Sequence, residues 1–159
     1  MQQRTLAKWL KAVIIGSGLC GLVIYFLVFP IFGQSIVDSA PEFAGWYRPW
    51  LVFLWVSGIP CYAVLVFAWR IAANIQADRS FTAANAAHLK WISWLAAGDA
   101  AYFFVGNVAM LLLNMSHPGV TLLSLIVVFI GIAVSVAAAA LSHLVQKAAV
   151  LQEQSDLTI

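Results

Sequence analysis

Four long apolar stretches limit this chain to a small set of folds. They cover approximately Leu10–Phe32, Trp50–Trp69, Trp91–Leu113 and Val120–Leu141. The hydrocarbon core of a bilayer is about 30 Å thick, and an α-helix crosses it in about 20 residues. Because an isolated stretch satisfies its own backbone in lipid only as a helix, the pattern predicts an all-α, integral membrane four-helix bundle. Residues 1–159 would form a single membrane domain with a tail at 142–159.

The composition agrees with a membrane protein and argues against several other classes. Hydrophobic residues make up 64% of the chain and charged residues only 9%, whereas soluble domains carry about 25% charged residues. The net charge of +2 gives no basis for direct nucleic-acid binding. Cys20 and Cys61 fall inside apolar stretches, where thiols act as small hydrophobic groups. With no motif for catalysis, a cofactor or a metal ion, we do not expect an enzyme.

The basic residues fall almost entirely on one side of the predicted spans. Arg48 stands alone on the other side. The seven on the first side are Arg4, Lys8, Lys11, Arg70, Arg79, Lys90 and Lys147. Because short loops rich in Lys and Arg stay in the cytoplasm, we expect both termini to be cytoplasmic, in a bacterial inner membrane. The apolar run Val13–Phe32 is too long for the core of a signal peptide, so we interpret it as a retained anchor.

The connections between the spans differ in character. Gly33–Arg48 contains Pro41 and Gly45 and predicts a short outer cap, and Asn114–Gly119 predicts a tight turn. Ile71–Lys90 instead holds good helix formers on both sides of a break near Asp78. We interpret it as cytoplasmic extensions of helices two and three, with Thr82 or Ser80 as the N-cap of the second extension.

The fourth span predicts a helix that continues into the cytoplasm. Gly131, Ser135 and Ala139 have the four-residue spacing that lets two membrane helices approach closely. Beyond the span, Leu144, Ala148 and Leu151 form an apolar stripe on Ser142–Gln154 that needs a cover. We expect the helical 71–90 segment to cover it, and together they would form a cytoplasmic helical base.

Asp99 is the one carboxylate inside an apolar stretch. It lies eight positions after Trp91, which places it about 12 Å into the helix. Exposure of a charge to lipid there would cost about 2.5–3.5 kcal/mol, so Asp99 should face the bundle interior. Tyr102 lies within about 60° of its direction, and Asn107 flanks that face. The site is either a proton or cation site or a hydrogen-bonded carboxyl that holds helices together.

Several short patterns resemble a known family. They are Pro41-Glu42, Ile59-Pro60, Phe81-Thr82-Ala83-Ala84-Asn85, Leu89-Lys90 and the C-terminal Leu151–Ile159. On these patterns the chain resembles the small bacterial four-span membrane proteins of domain of unknown function 2975. It departs from the family where Gln154-Ser155 precedes Asp156 and where Ala84 replaces a commonly acidic residue. The resemblance implies a regulatory setting beside small helix-turn-helix regulators and no known reaction.

The distinctive cytoplasmic residues predict a docking site. Phe81 and Asn85 lie at the start of the second extension, and Asp156, Leu157 and Ile159 lie at the C-terminus. We expect Leu157 and Ile159 to pack near Phe81, either as an intramolecular clasp or as a site for which a cytosolic regulator or a second copy competes.

Two classes of function follow from these patterns. The first is a regulatory or scaffolding membrane protein that acts through partners, either a cytosolic regulator protein or further copies in a homo-oligomer. The alternative is a small proton- or cation-linked transporter or channel that uses Asp99.

Overall fold

The computed structural model describes residues 3–156, and all regular structure in that range is helical. The helices are α1 (Gln3–Val23), α2 (Phe29–Ser39), α3 (Tyr47–Gln76), α4 (Ala83–Leu112) and α5 (Pro118–Asp156). A π-helical turn at Ile24–Val28 joins α1 to α2, so that they form one rod, called span 1 below. Four helical units are long and apolar enough to cross a membrane, namely Gln3–Ser39, Pro41–Gln76, Ala83–Leu112 and Pro118–Ser155. The predicted all-α membrane four-helix architecture is confirmed.

The helices pack in chain order. Close backbone approaches join span 1 to α3, α3 to α4, and α4 to α5, whereas span 1 and α5 stay apart along the described residues. We call the membrane face that carries residues 40–46 and 113–117 the loop face. The opposite face, with the 77–82 turn and both chain ends, is the terminal face. The gap between span 1 and α5 leaves space inside the bundle.

The outer cap is more helical than the sequence analysis predicts. Span 1 continues through Gly33 to Ser39, and a 3₁₀ helix covers Pro41–Trp46. Pro30 lies at the start of α2, where its missing N–H does least harm. The Phe29 N–H bonds to the Ile24 carbonyl, and in the same i to i−5 register the Tyr25 carbonyl pairs with the nitrogen of Pro30, which has no hydrogen to donate. The indole Nε1 of Trp55 donates to that carbonyl instead, at 3.1 Å.

The turn between α3 and α4 is built around Asn85. Thr82 is the N-cap of α4, and its side chain accepts a hydrogen bond from the Asn85 backbone N–H at 3.3 Å. The Asn85 amide donates to the carbonyls of Arg79 and Ser80, and Asn74 Nδ2 donates to Asn85 Oδ1 at 2.7 Å. Thr82 rather than Ser80 is therefore the cap, and Asn85 fastens α4 to the end of α3.

A seven-residue repeat on α5 packs against α4. The residues that face α4 are small or polar almost throughout: Thr121, Ser124, Val128, Gly131, Ser135, Ala138, Ser142 and Val145. Ser135 Oγ donates to the Ser93 carbonyl at 2.9 Å, and a Cβ on Gly131 would lie 3.1 Å from Ala100 Cβ. This heptad spacing is typical of left-handed helix pairs with closely approaching backbones.

The same repeat corrects two details of the sequence analysis. Ala138, not Ala139, is buried against α4. Beyond the span, Val145 packs with Ala86 and Leu89 of α4, whereas Leu144 and Leu151 are 62% and 65% exposed. The 71–90 segment therefore packs on this part of α5 as expected, with Ile71 also contacting the cluster, but it covers the face of Val145 and leaves Leu144 and Leu151 exposed.

Candidate intramembrane binding site

A cavity of about 280 Å³ lies between the four spans. Every span contributes side chains to it, and most of them are apolar or aromatic. The lining residues are Tyr25, Val28, Phe29 and Phe32 from span 1; Trp50, Leu54, Ser57 and Cys61 from α3; Asp99, Phe103 and Asn107 from α4; and Val120, Leu123, Ser124 and Val127 from α5. An apolar cavity with a few converging polar groups is the usual form of a small-molecule site.

Asp99 is the charged group of this cavity, and only one of its oxygens is bonded. The Cys61 thiol donates to Asp99 Oδ2 at 3.5 Å, which is a weak bond because S–H is a weak donor. Asp99 Oδ1 is buried and has no hydrogen-bond partner among the described residues. No basic side chain lines the cavity. A buried oxygen left in this condition calls for an explanation, such as a missing ligand or proton.

Two hydroxyl groups complete the polar side of the site. The Tyr25 hydroxyl lies 3.3 Å from Ser57 Oγ and 3.9 Å from Cys61 Sγ. Ser57 Oγ donates to the Leu54 carbonyl at 2.8 Å, which is the usual way for serine to satisfy itself within a helix. Tyr25, Ser57, Cys61 and Asp99 therefore form one connected polar cluster contributed by three spans.

The structure brings together two of the three residues predicted for this site. Asp99 and Asn107 line the same cavity, and Asn107 Nδ2 donates to the Phe103 carbonyl at 2.8 Å. Tyr102 does not line it. Its ring stacks on Phe53 with 4.8 Å between ring centroids, and its hydroxyl donates to the Phe53 carbonyl. The three-residue offset from Asp99 is enough to turn Tyr102 away from the cavity and onto α3.

The sequence analysis missed the partners of Asp99 on the other spans, although one signal was present. Cys61 lies nine positions before Arg70, and Asp99 lies nine positions after Lys90. Both basic residues belong to the same membrane side, so equal counts along antiparallel helices place the two side chains at equal depth. Matching depths between spans would have paired Cys61 with Asp99.

Two further cavities adjoin the first. One, also of about 280 Å³, lies toward the terminal face and shares Cys61, Asp99, Phe103 and Val127 with it. The other, of about 30 Å³, lies at the loop face and shares Trp50 and Val120. Asp99 therefore lies where the two larger cavities meet.

The predicted docking residues on the terminal face are only partly described. Phe81 is 56% exposed and could contact a partner. Asn85 is 1% exposed and uses its amide inside the turn, so it would act on a partner only through the turn that it holds. Asp156 is the last residue of α5, and Leu157 and Ile159 lie outside the described residues.

Comparisons with known proteins place the chain in a family. A family model described as "Protein of unknown function (DUF2975)" matches residues 34–159. The uncharacterized membrane protein YoaS of Bacillus subtilis (strain 168) is 25% identical over 155 residues, which cover 95% of this chain and 96% of YoaS. No solved structure matches the chain significantly. Since the family model covers most of the chain, including the whole of α3, α4 and α5, the chain belongs to the family of proteins of unknown function called DUF2975.

Proposed function

We propose that this membrane protein binds lipophilic cations at Asp99, as the substrate-binding step of a small carrier. The observation that carries the proposal is the Asp99 carboxyl, whose Oδ1 is buried without a partner beside a cavity lined by all four spans. A ligand cation would supply the missing charge partner. Opposite charges interact far more strongly in such an apolar setting than in water.

The walls of the cavity favour an organic cation over a hydrated metal ion. Within residues 3–156 no three His, Cys, Asp or Glu side chains come close enough together to hold a metal ion. The walls instead offer the rings of Phe29, Trp50 and Phe103, which suit an apolar body and attract positive charge through their faces. A cation with an aromatic or alkyl body matches both features.

The gap between span 1 and α5 supports entry of a ligand into the Asp99 cavity from the bilayer. Phe32 on one side and Leu123 on the other line the cavity, and they remain 42% and 54% exposed. A ligand that partitions into lipid could pass between them without separating any packed helices. For the orientation, we infer from the Lys and Arg distribution that the terminal face is cytoplasmic.

Binding of tritiated tetraphenylphosphonium to the purified full-length protein in detergent tests the proposal. Equilibrium dialysis should show a saturable site. Asp99→Asn keeps the shape but removes the charge, and it should weaken binding about tenfold or more, equivalent to a loss of about 1.4 kcal/mol. Asp38→Asn is the matched control, because Asp38 is an exposed carboxylate on α2.

Stability measurements on the same variants separate a binding site from a carboxyl that holds helices together. A structural role predicts that Asp99→Leu lowers stability by about 1–2 kcal/mol. Since Asp99 makes one weak bond, we expect Asp99→Leu to unfold near the wild-type temperature while it loses the probe. Equal probe binding by wild type and Asp99→Asn would reject the proposal.

A second candidate function, regulation through a cytosolic partner, is favoured by the end of α5. Leu144 and Leu151 are well exposed there, on a part of the helix that the charge distribution places in the cytoplasm. We propose an apolar partner helix as the occupant of this surface. A photoreactive residue at Leu151 should then cross-link in cells to one specific protein, and the same residue at exposed Gln146 should not. Equal yields at both positions would remove this candidate.

A further inference from the structure

The polar groups around Asp99 are distributed unequally between the two faces of the membrane. Toward the loop face the cavity wall carries Asn107 and Ser124, and the Tyr25–Ser57 pair lies beside the carboxyl. Asn107 lies two helical turns from Asp99 and five residues from the end of α4, and Ser124 lies six residues from the start of α5. Polar groups therefore occur about halfway between Asp99 and the loop face.

Toward the terminal face the cavity wall is apolar, and the nearby Ser93 and Ser135 bond to each other and do not line it. Besides Cys61 and Asp99 themselves, the cavity on that side is lined only by Pro60, Val64, Leu95, Ala96, Ala100, Phe103, Val127, Val128, Ile130, Gly131 and Val134. Water enters a cavity only where two to four polar partners can hold it, and cavities lined by such residues stay dry. Nothing on this wall offers a proton a path away from the carboxyl.

The small cavity at the loop face continues the polar side outward. Its volume of about 30 Å³ is sufficient for a water molecule. It is lined in part by Ser116 and His117 of the α4–α5 turn, and Trp50 with Val120 separates it from the Asp99 cavity. The two spaces therefore adjoin at the side chains of Trp50 and Val120.

We propose that Asp99 is a proton-binding site that exchanges with the aqueous phase at the loop face and is sealed from the terminal face. The proton path runs from the small cavity past Trp50, along Asn107 and Ser124, to the unpartnered Oδ1. This inference concerns the same carboxyl as the proposed function but stands without any cation ligand.

Asp99 is the one carboxyl among the residues that line this path. Span 1 contributes the Tyr25 hydroxyl and α3 contributes the Cys61 thiol. The residues of α5 that line the two larger cavities carry no titratable side chain. On α4 itself, Tyr102 is turned toward Phe53. A proton that arrives from the loop face passes His117, which lines the small cavity, and then has Asp99 as the one carboxylate acceptor on the path.

Modification of the native protein by dicyclohexylcarbodiimide tests the inference, because this apolar reagent reacts with protonated carboxyl groups inside membranes. Two preparations of sealed vesicles are made, one with the loop face outward and one with the terminal face outward. The pH inside the vesicles is fixed while the external pH is varied. Mass spectrometry then measures the amount of modified Asp99 peptide. With the loop face outward, the initial rate should fall about tenfold per pH unit once Asp99 ionises, as the protonated fraction of a single carboxyl does. With the terminal face outward, the initial rate of Asp99 modification should not change with the external pH. Asp99→Asn gives the background.

Cysteine labelling gives a second measurement that does not need the carboxyl to react. In a chain without Cys20 and Cys61, Ser124→Cys should react with a charged, membrane-impermeant thiosulfonate from the loop face. Its matched control, Val134→Cys in the apolar cavity, should not react from either face. Modification of Asp99 that follows the pH at the terminal face, no modification at any pH, or labelling of Val134→Cys from the terminal face would each overturn the inference. None of these results depends on tetraphenylphosphonium binding.

Discussion

Asn85 and Asp99 differ in how completely their polar atoms are hydrogen-bonded. Every polar atom of the Asn85 amide is bonded, to Asn74 Nδ2 and to the carbonyls of Arg79 and Ser80. Asp99 has one weak thiol donor and one oxygen without a partner. A fully bonded buried group stabilises one arrangement of its surroundings, whereas an unpartnered one is destabilising until something binds it. By this criterion Asn85 is structural and Asp99 is the residue available for binding.

Replacement of Asn85 by alanine should therefore lower stability strongly. The change removes three hydrogen bonds, to the Arg79 and Ser80 carbonyls and from the Asn74 amide, which should cost about 2–4 kcal/mol in the free energy of unfolding. Thermal unfolding of the purified protein measures the effect. Gln146→Ala, which removes an exposed amide from α5, should change stability by less than about 0.5 kcal/mol. Equal unfolding temperatures for the two variants would show that the amide network does not hold the turn.

At the scale of elements, the π-helical turn in span 1 is paired with a specific donor on α3. Pro30 cannot donate to the Tyr25 carbonyl, and the Trp55 indole does so from the neighbouring helix. The turn also carries the Tyr25 side chain that reaches Ser57. One backbone irregularity thus presents a carbonyl to α3 and a hydroxyl to the Asp99 cavity.

A double-mutant cycle tests the pairing of Pro30 with Trp55. Trp55→Phe alone should cost about 1 kcal/mol, because it leaves the Tyr25 carbonyl without a donor. Pro30→Ala provides a backbone N–H at the position that faces this carbonyl in the π register. In the Pro30→Ala background the cost of Trp55→Phe should therefore fall toward zero. An unchanged cost in thermal unfolding would mean that the indole stabilises the bundle by packing alone.

The contact between α4 and α5 gives a second test at this scale. Gly131→Leu should destabilise the pair by about 1–3 kcal/mol, because even a Cβ at this position would come within 3.1 Å of Ala100. Gly16→Leu in span 1 is the control, since a Cβ there meets nothing within 4 Å. Thermal unfolding of the two variants should differ clearly. Similar stability would show that α4 and α5 can separate at little cost.

At the scale of the whole molecule, the two sides of the membrane differ in the number of basic residues and in how far the helices extend beyond the spans. Seven of the eight Lys and Arg residues belong to the terminal side, where α3, α4 and α5 also run past the predicted spans. Lys11 Nζ donates to Gln76 Oε1 at 2.6 Å and lies over the Trp69 ring. The Lys11 side chain thus helps to pack span 1 against the end of α3.

Reporter fusions test the inferred orientation. Fusions after Glu42 and after Met115 should be active only as periplasmic reporters, and fusions after Arg79 and at the C-terminus only as cytoplasmic reporters. Glu42 and Met115 lie in the segments that form the loop face. A C-terminal fusion that reports the periplasm would contradict the orientation and, with it, the assignment of the loop face to the outside.

The sequence predicts the parts of this structure that depend on composition and local signals. Apolar length predicts the four spans, and Thr82 predicts the start of α4, since both depend on residues within one segment. The cluster of Tyr25, Ser57 and Cys61 around Asp99 depends instead on which helix faces which and at what depth. The position of Tyr25 also depends on a π-helical turn, for which Pro30 is only an indirect signal. The face of α5 that packs on α4 is predicted correctly at Gly131 and Ser135 but not at Ala139, because the contact follows a seven-residue repeat and not a four-residue spacing.

The order of packing along the chain has a consequence for how the protein is made. Each transmembrane unit makes close backbone approaches only to its neighbours in the sequence, and the first and last units stay apart within residues 3–156. When each new helix leaves the ribosome, the preceding helix against which it packs is already in the bilayer. Contacts between sequence neighbours form quickly because little chain entropy is lost in bringing them together. The bundle can therefore assemble stepwise, and the opening beside Asp99 remains because the first and last units do not pack against each other.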